Sequence, residues 1–122
     1  MRKLKFRCWN GIAIIAISEP KTIHELVEQE DELNPDIIIM QFTGLKDKNG
    51  KEIFEGDVVQ FSNSDRKSKP CEVLIQMPRG VRVKFADGWH YDWIKINSSW
   101  EEVEVIGSVY ENKELLEEGR ER

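Results

Sequence analysis

One stretch near the middle of the chain, QFTGLKDKNGKEIFEGDVV from Gln41 to Val59, restricts the fold more than any other. Asn49-Gly50 is a turn dipeptide between two runs able to pair. A two-residue loop there would set Lys48 against Lys51 and Asp47 against Glu52, and like charges directly opposite one another are penalised. A three-residue loop, Lys48-Asn49-Gly50, instead sets Asp47 against Lys51, Lys46 against Glu52 and Leu45 against Ile53. That register belongs to a type I turn closed by a glycine in the left-handed region, a G1 bulge. It requires a positive φ at Gly50. Glu55-Gly56-Asp57 then turns the chain into a strand from Val58 to Phe61, so the segment reads as antiparallel β throughout.

The flanking sequence continues in the same idiom. In KLKFRCW, Leu4, Phe6 and Cys8 share one face and Lys3, Lys5 and Arg7 the other, which predicts a strand buried on one side. Asn10-Gly11 separates it from the apolar run Ile12–Ile17 and predicts a hairpin. Thr22-Ile23-His24-Glu25 has the form of a capping box, so one short helix is expected over 22–30, ended by Asn34-Pro35. Asp36–Phe42 is the next strand. Residues 62–70, SNSDRKSKP, hold no apolar anchor and predict a mobile loop. Beyond it, Cys71–Met77, then Val81, Val83 and Phe85, then Trp89, Tyr91 and Trp93 alternate with polar partners, with turns at Pro78-Arg79-Gly80 and Asp87-Gly88. Val103 and Val105 complete five short strands from Asp57 to about Ile106. We expect a mainly β protein of hairpins plus a small SH3-like barrel-type sheet, with one short helix. Residues 114–121 suggest a frayed final helix.

A chain of 122 residues is long enough for one core without disulfides or metals, since a domain of this size buries roughly two-thirds of its unfolded surface. We read residues 1–122 as one domain. Residues 1–55 hold the first strands, the helix and the hairpin, 56–110 the barrel-like strands, and 111–122 a C-terminal tail. The longest apolar run is far shorter than the ~20 residues of a spanning helix, and Glu19-Pro20 follows it directly. Neither membrane insertion nor export is expected, and a cytoplasmic location is. Cys8 and Cys71 fit no ligand spacing and lie in apolar strand patterns, as buried free thiols do in a reducing compartment. The net charge of −5 is segregated into a basic start, an acidic 19–36, a basic 65–84 and an acidic 101–122. An acidic balance argues against nucleic acid as the main partner.

These residues resemble a known family. Arg2-Lys3-Leu4-Lys5-Phe6-Arg7-Cys8-Trp9-Asn10 is similar to the opening of the YopX proteins found in phages and prophages of Gram-positive bacteria. The Gln41–Val59 stretch matches the family's signature. The ending Ile106-Gly107-Ser108-Val109-Tyr110-Glu111-Asn112, followed by Leu115-Leu116, is similar as well. The resemblance spans the chain and departs between Gly11 and Pro35. It implies a phage or prophage origin, a bacterial cytoplasmic setting and a largely β fold, and it supplies no catalytic residues.

Candidate sites follow from residue types. His90 and Asp92 share a strand face about 7 Å apart, but a metal or acid–base site needs a further donor, and the other histidine, His24, is distant in sequence. A solvent-facing pair opposite a Trp89-Tyr91-Trp93 core is the plainer reading. Gly44, Gly50 and Gly56 recur without the Lys-Ser/Thr of a phosphate loop. No nucleophile elbow is present, and we expect neither catalysis nor a cofactor nor a metal. The basic block of Arg66, Lys67, Lys69, Arg79, Arg82 and Lys84, with Trp89 nearby, could meet phosphates and stack bases. The plainer reading is a solvated face, or a dock for acidic segments 19–36 or 101–122 of the same or another copy. Trp9 and Trp100 stand at element ends, where partly exposed tryptophans mark interfaces, with core or edge packing as the alternative. The expectation is an accessory protein that assembles with itself or with a phage or host protein, the alternative being a nucleic-acid-binding module.

Overall fold

A computed structural model describes residues 5–17, 38–76 and 80–116. The helix expected over 22–30 and the candidate Arg79 therefore lie outside the described residues. The strands are β1 (Phe6–Trp9), β2 (Ile14–Ile17), β3 (Ile38–Lys46), β4 (Glu52–Phe54), β5 (Asp57–Ser62), β6 (Cys71–Gln76), β7 (Gly80–Phe85), β8 (His90–Asp92) and β9 (Glu102–Ser108). A single-turn-and-a-half helix, α1 (Trp93–Ser98), separates the last two strands. The protein is mainly β. Its described strands form a four-stranded sheet in the order β2-β1-β3-β4 and a five-stranded sheet in the order β8-β7-β6-β5-β9. Every described pairing is antiparallel, and the five-stranded sheet curls into a half-barrel.

The central hairpin takes the three-residue loop. Lys46 lies opposite Glu52 and Leu45 opposite Ile53, Gly50 has φ +80°, and its N–H donates to the Asp47 carbonyl at 3.0 Å. The expected charge pairing is redirected, however. Glu52 takes Lys5 as its ion-pair partner. Asp47 turns its carboxylate onto backbone: Oδ1 accepts from the N–H groups of Asn49 and Lys51, both at 2.9 Å, and Oδ2 from that of Val105 at 3.0 Å. The hairpin tip is thereby fastened to β9.

The core lies within the curl of the larger sheet. Val59, Phe61, Cys71, Val73, Val83 and Val103 line it, Ile53 enters from β4, and Trp93 and Ile96 of α1 close one side. Trp93 corrects the expectation of an unbroken strand over Trp89–Trp93. The alternation ends at Asp92 because Trp93 and Ile96, three residues apart, reach the core together only on a helical backbone. Trp89 corrects it further. It is 67% exposed and Tyr91 38%, so the expected aromatic core strand contributes only Trp93 to the buried core.

Arg7 is a second correction. Alternation placed it on the solvent face of β1, yet it is 8% exposed. Its guanidinium pairs with the carboxylate of Asp57, itself buried, and lies 4.7 Å over the Phe54 ring. Phe54 of β4 and Asp57 of β5 meet it on that face, so the charge is compensated rather than hydrated. Asp57 also accepts the Phe54 N–H at 2.8 Å. Burial raises its carboxyl above the usual range, against the opposing pull of Arg7.

Candidate functional site

The residues of the family signature are occupied with folding. Gln41 and Glu55 bind each other twice, through Gln41 N–H to Glu55 Oε1 at 3.0 Å and Glu55 N–H to the Gln41 carbonyl at 2.9 Å. The Thr43 hydroxyl is buried and donates to the Ile53 carbonyl at 2.6 Å. A Cβ on Gly56 would stand 3.0 Å from the Tyr110 ring and 3.1 Å from Met40 Sδ. Tyr110 in turn stacks on Trp9 with centroids 6.1 Å apart, so Trp9 has an intramolecular partner. The terminal motif acts likewise: Ser108 N–H donates to Asn112 Oδ1 at 3.2 Å, and Glu111 N–H to Ser108 Oγ at 3.1 Å. Each of these residues has a neighbour whose position it fixes.

The basic block, continuous in sequence, is divided in space. Arg82 and Lys84 project from the outer face of β7. There Arg82 Nε lies 3.0 Å from Asp92 Oδ1, and Lys84 stands across from Glu72 on β6 and from His90 on β8. Half-burial raises the Glu72 carboxyl, and the nearby Lys84 and His90 partly offset it. This outer face is a lattice of alternating sign rather than a basic stripe. His90 and Asp92 are also engaged separately, His90 Nδ1 lying 2.9 Å from the Gly88 carbonyl.

Arg66, Lys67 and Lys69 are carried by the β5–β6 loop. The loop differs from the free segment expected, because it is hydrogen-bonded back onto β5. Ser68 N–H donates to the Phe61 carbonyl at 2.7 Å, Gln60 Nε2 to the Ser68 carbonyl at 2.9 Å, and Asn63 Oδ1 receives the N–H groups of Asp65 and Arg66. Its polar side chains serve as the anchors that apolar ones would supply. The Arg66 guanidinium lies 5.2 Å over the Trp100 ring, an arrangement the sequence did not signal. Trp100 borders a cleft of about 290 Å³ with Phe85, Tyr91, Lys95, Ile96 and Ser99.

Besides Ile12, Ile15 and Ile38 near β2 and β3, a further exposed apolar surface lies at and after β8. Trp89, Tyr91 and Ile94 are large and exposed, Ile94 at 84%, and fall within six consecutive residues at the outer strand of the larger sheet. Cys8 and Cys71 are free and buried. Burial pushes the Cys71 thiol up to about 12. Among the described residues no group of three or more His, Cys, Asp or Glu is placed to hold a metal ion, and no helix is long and apolar enough to cross a membrane.

Fold and surface together define a small, mainly β, two-sheet protein whose distinctive sequence maintains its own scaffold. The chain belongs to the YopX family: the model of that family, described as YopX protein, matches residues 12–117. Its fold is similar to that of protein EF1440 from Enterococcus faecalis, with TM-score 0.63 and 23% identity over 95% of this chain and 99% of that one. It is also similar to protein yopX from Bacillus subtilis, with TM-score 0.57 and 19% identity over 95% and 99% of the two chains. At these identities the likeness is one of fold. No curated protein matches the chain.

Proposed function

We propose that the protein is a phage- or prophage-encoded, non-catalytic accessory protein of the bacterial cytoplasm that acts by assembling with itself or with a phage or host protein. The observation that carries this reading is the exposure of Trp89 and Tyr91, just before and within the strand that is outermost in its sheet among the described residues, followed by exposed Ile94 in α1. Large exposed apolar side chains lose water when a partner covers them, and aromatic residues are enriched at such interfaces. The larger sheet is SH3-like in our reading. Its order β8-β7-β6-β5-β9, with a helical turn before the last strand, supports this. Small barrels of that kind serve widely as recognition modules. Co-purification from phage-bearing cells, with protein and nucleic acid analysed together, tests the proposal: a stoichiometric protein partner or a homo-oligomer is expected, and an isolated monomer in every preparation would defeat it.

One observation favours a second reading, nucleic-acid binding. Arg66, Lys67 and Lys69 sit on one ordered loop, Arg66 against Trp100, beside a cleft that also holds Phe85 and Tyr91. Cations beside stacking surfaces bind single strands. Filter binding of a short single-stranded oligonucleotide at low salt separates the readings, since retention that vanishes with Arg66→Glu would favour this one.

A further inference from the structure

The edge of β8, outermost in its sheet among the described residues, carries a pattern that fits itself. Its partner β7 pairs Phe85 with Trp89 through a hydrogen bond from the Phe85 N–H to the Trp89 carbonyl at 2.9 Å. In an antiparallel ladder hydrogen-bonded pairs alternate, so Val83 and Tyr91 form the next such pair, and the backbone of His90 and Asp92 points away from β7. β8 is the outer strand of its sheet among the described residues. Along it run His90, Tyr91 and Asp92. Reversed about Tyr91, that order sets His90 across from Asp92 and Asp92 across from His90.

We propose that β8 pairs antiparallel with β8 of a second copy about a two-fold axis through Tyr91, joining two five-stranded sheets edge to edge. The proposal rests on the assembly reading above and names its surface and its partner. A two-fold contact must be self-complementary, and this one is. His90 and Asp92 project on the outer face with Lys84 and Arg82, so the two new pairs fall on that same face. Asp92 Oδ1 is held by Arg82, and Asp92 keeps much of its side chain open to meet the second imidazole. A shift of register centred on Asp92 would set carboxylate against carboxylate, which like-charge repulsion disfavours. On the inner face Tyr91 meets its own copy, each ring backed edge-on by Phe85 at 5.8 Å, and the exposed Trp89 gains cover beside it. A three-residue strand makes a small contact, so the dimer is a reversible one.

Sedimentation of the full chain from micromolar to millimolar concentration tests it. The mass is expected to rise from 14.3 kDa toward twice that value. His90→Asp faces Asp92 of the second copy with a like charge while gaining Lys84 within its own chain. It should fold as well as the parent and weaken the dimer about tenfold or more. His90→Lys should tighten it. The axis also sets the two Tyr91 Cα atoms about 4.5 Å apart, within disulfide range. Tyr91→Cys should therefore oxidise to a covalent dimer faster than the more exposed Ile94→Cys. A dimer indifferent to both His90 variants, with Tyr91→Cys no faster than Ile94→Cys, would overturn this surface and leave assembly standing. A monomer at every concentration would overturn self-assembly altogether.

Discussion

Asp47→Ala is the substitution whose cost the structure fixes most directly. The Asp47 carboxylate is largely buried and accepts three backbone N–H groups, two within its own turn and one from Val105 on β9. A hydrogen bond to a charged group contributes about 1.5–3 kcal/mol, but the Asn49 and Lys51 amides sit at an exposed tip where water replaces most of what is lost. Val105 N–H is half-buried against the hairpin and is left without its acceptor. The sum is a loss of about 2–4 kcal/mol. Asp47→Asn, which keeps an uncharged acceptor, should lose about half as much. Urea denaturation followed by tryptophan fluorescence measures this as a lower midpoint at unchanged slope. The pH dependence supplies an independent check. Burial pushes the Asp47 carboxyl up, but the backbone bonds from Val105, Lys51 and Asn49 outweigh it and hold it below its ordinary value. A lowered folded-state value stabilises fully above the unfolded one and is lost as pH falls through the folded one. The gap between parent and Asp47→Ala should therefore narrow below about pH 4. A loss under about 0.5 kcal/mol, within the range of ordinary surface changes, or a gap that widens in acid, would refute the reasoning.

Three further outcomes follow from buried groups. Arg7→Met leaves Asp57 buried without its cation and should cost about 3–5 kcal/mol, whereas Arg7→Met combined with Asp57→Asn should cost less than Arg7→Met alone; equal or additive losses in a urea double-mutant cycle would contradict the pairing. Gly107→Ala places a Cβ 2.5 Å from Asn112 Oδ1 and 2.9 Å from Leu115, so it should expel the segment after β9 and raise its proteolysis, and an unchanged cleavage pattern would count against that packing. The Cys71 thiol, pushed up to about 12 by burial, should react with a thiol reagent only as the chain unfolds, a claim that fast labelling of the native protein would remove.

Features whose causes lie within a few residues were legible in the sequence. The hairpin register followed from the charges of Lys46, Asp47, Lys48, Lys51 and Glu52 with one glycine, and the turn at Asp87-Gly88 followed from its dipeptide, with φ +98° at Gly88. Strand alternation set Cys71, Val73 and Val83 on a core face, because period two needs no knowledge of what lies opposite. Tertiary structure alone decided what each polar face meets. Arg7 reads as a surface residue until Asp57, fifty positions away, is brought beneath it. Asp47 reads as a charge partner for Lys51 until Val105, 58 positions away, presents its N–H. The basic block reads as one surface until the sheet sets Arg82 against Asp92 and carries Arg66 off to Trp100. Trp89 reads as core with Trp93 until the start of α1 buries Trp93 and leaves Trp89 exposed. In each case the chemistry of the residue is local, while its burial is set by a segment remote in the chain, and burial decides whether a charge or a ring serves the fold or remains open to a partner.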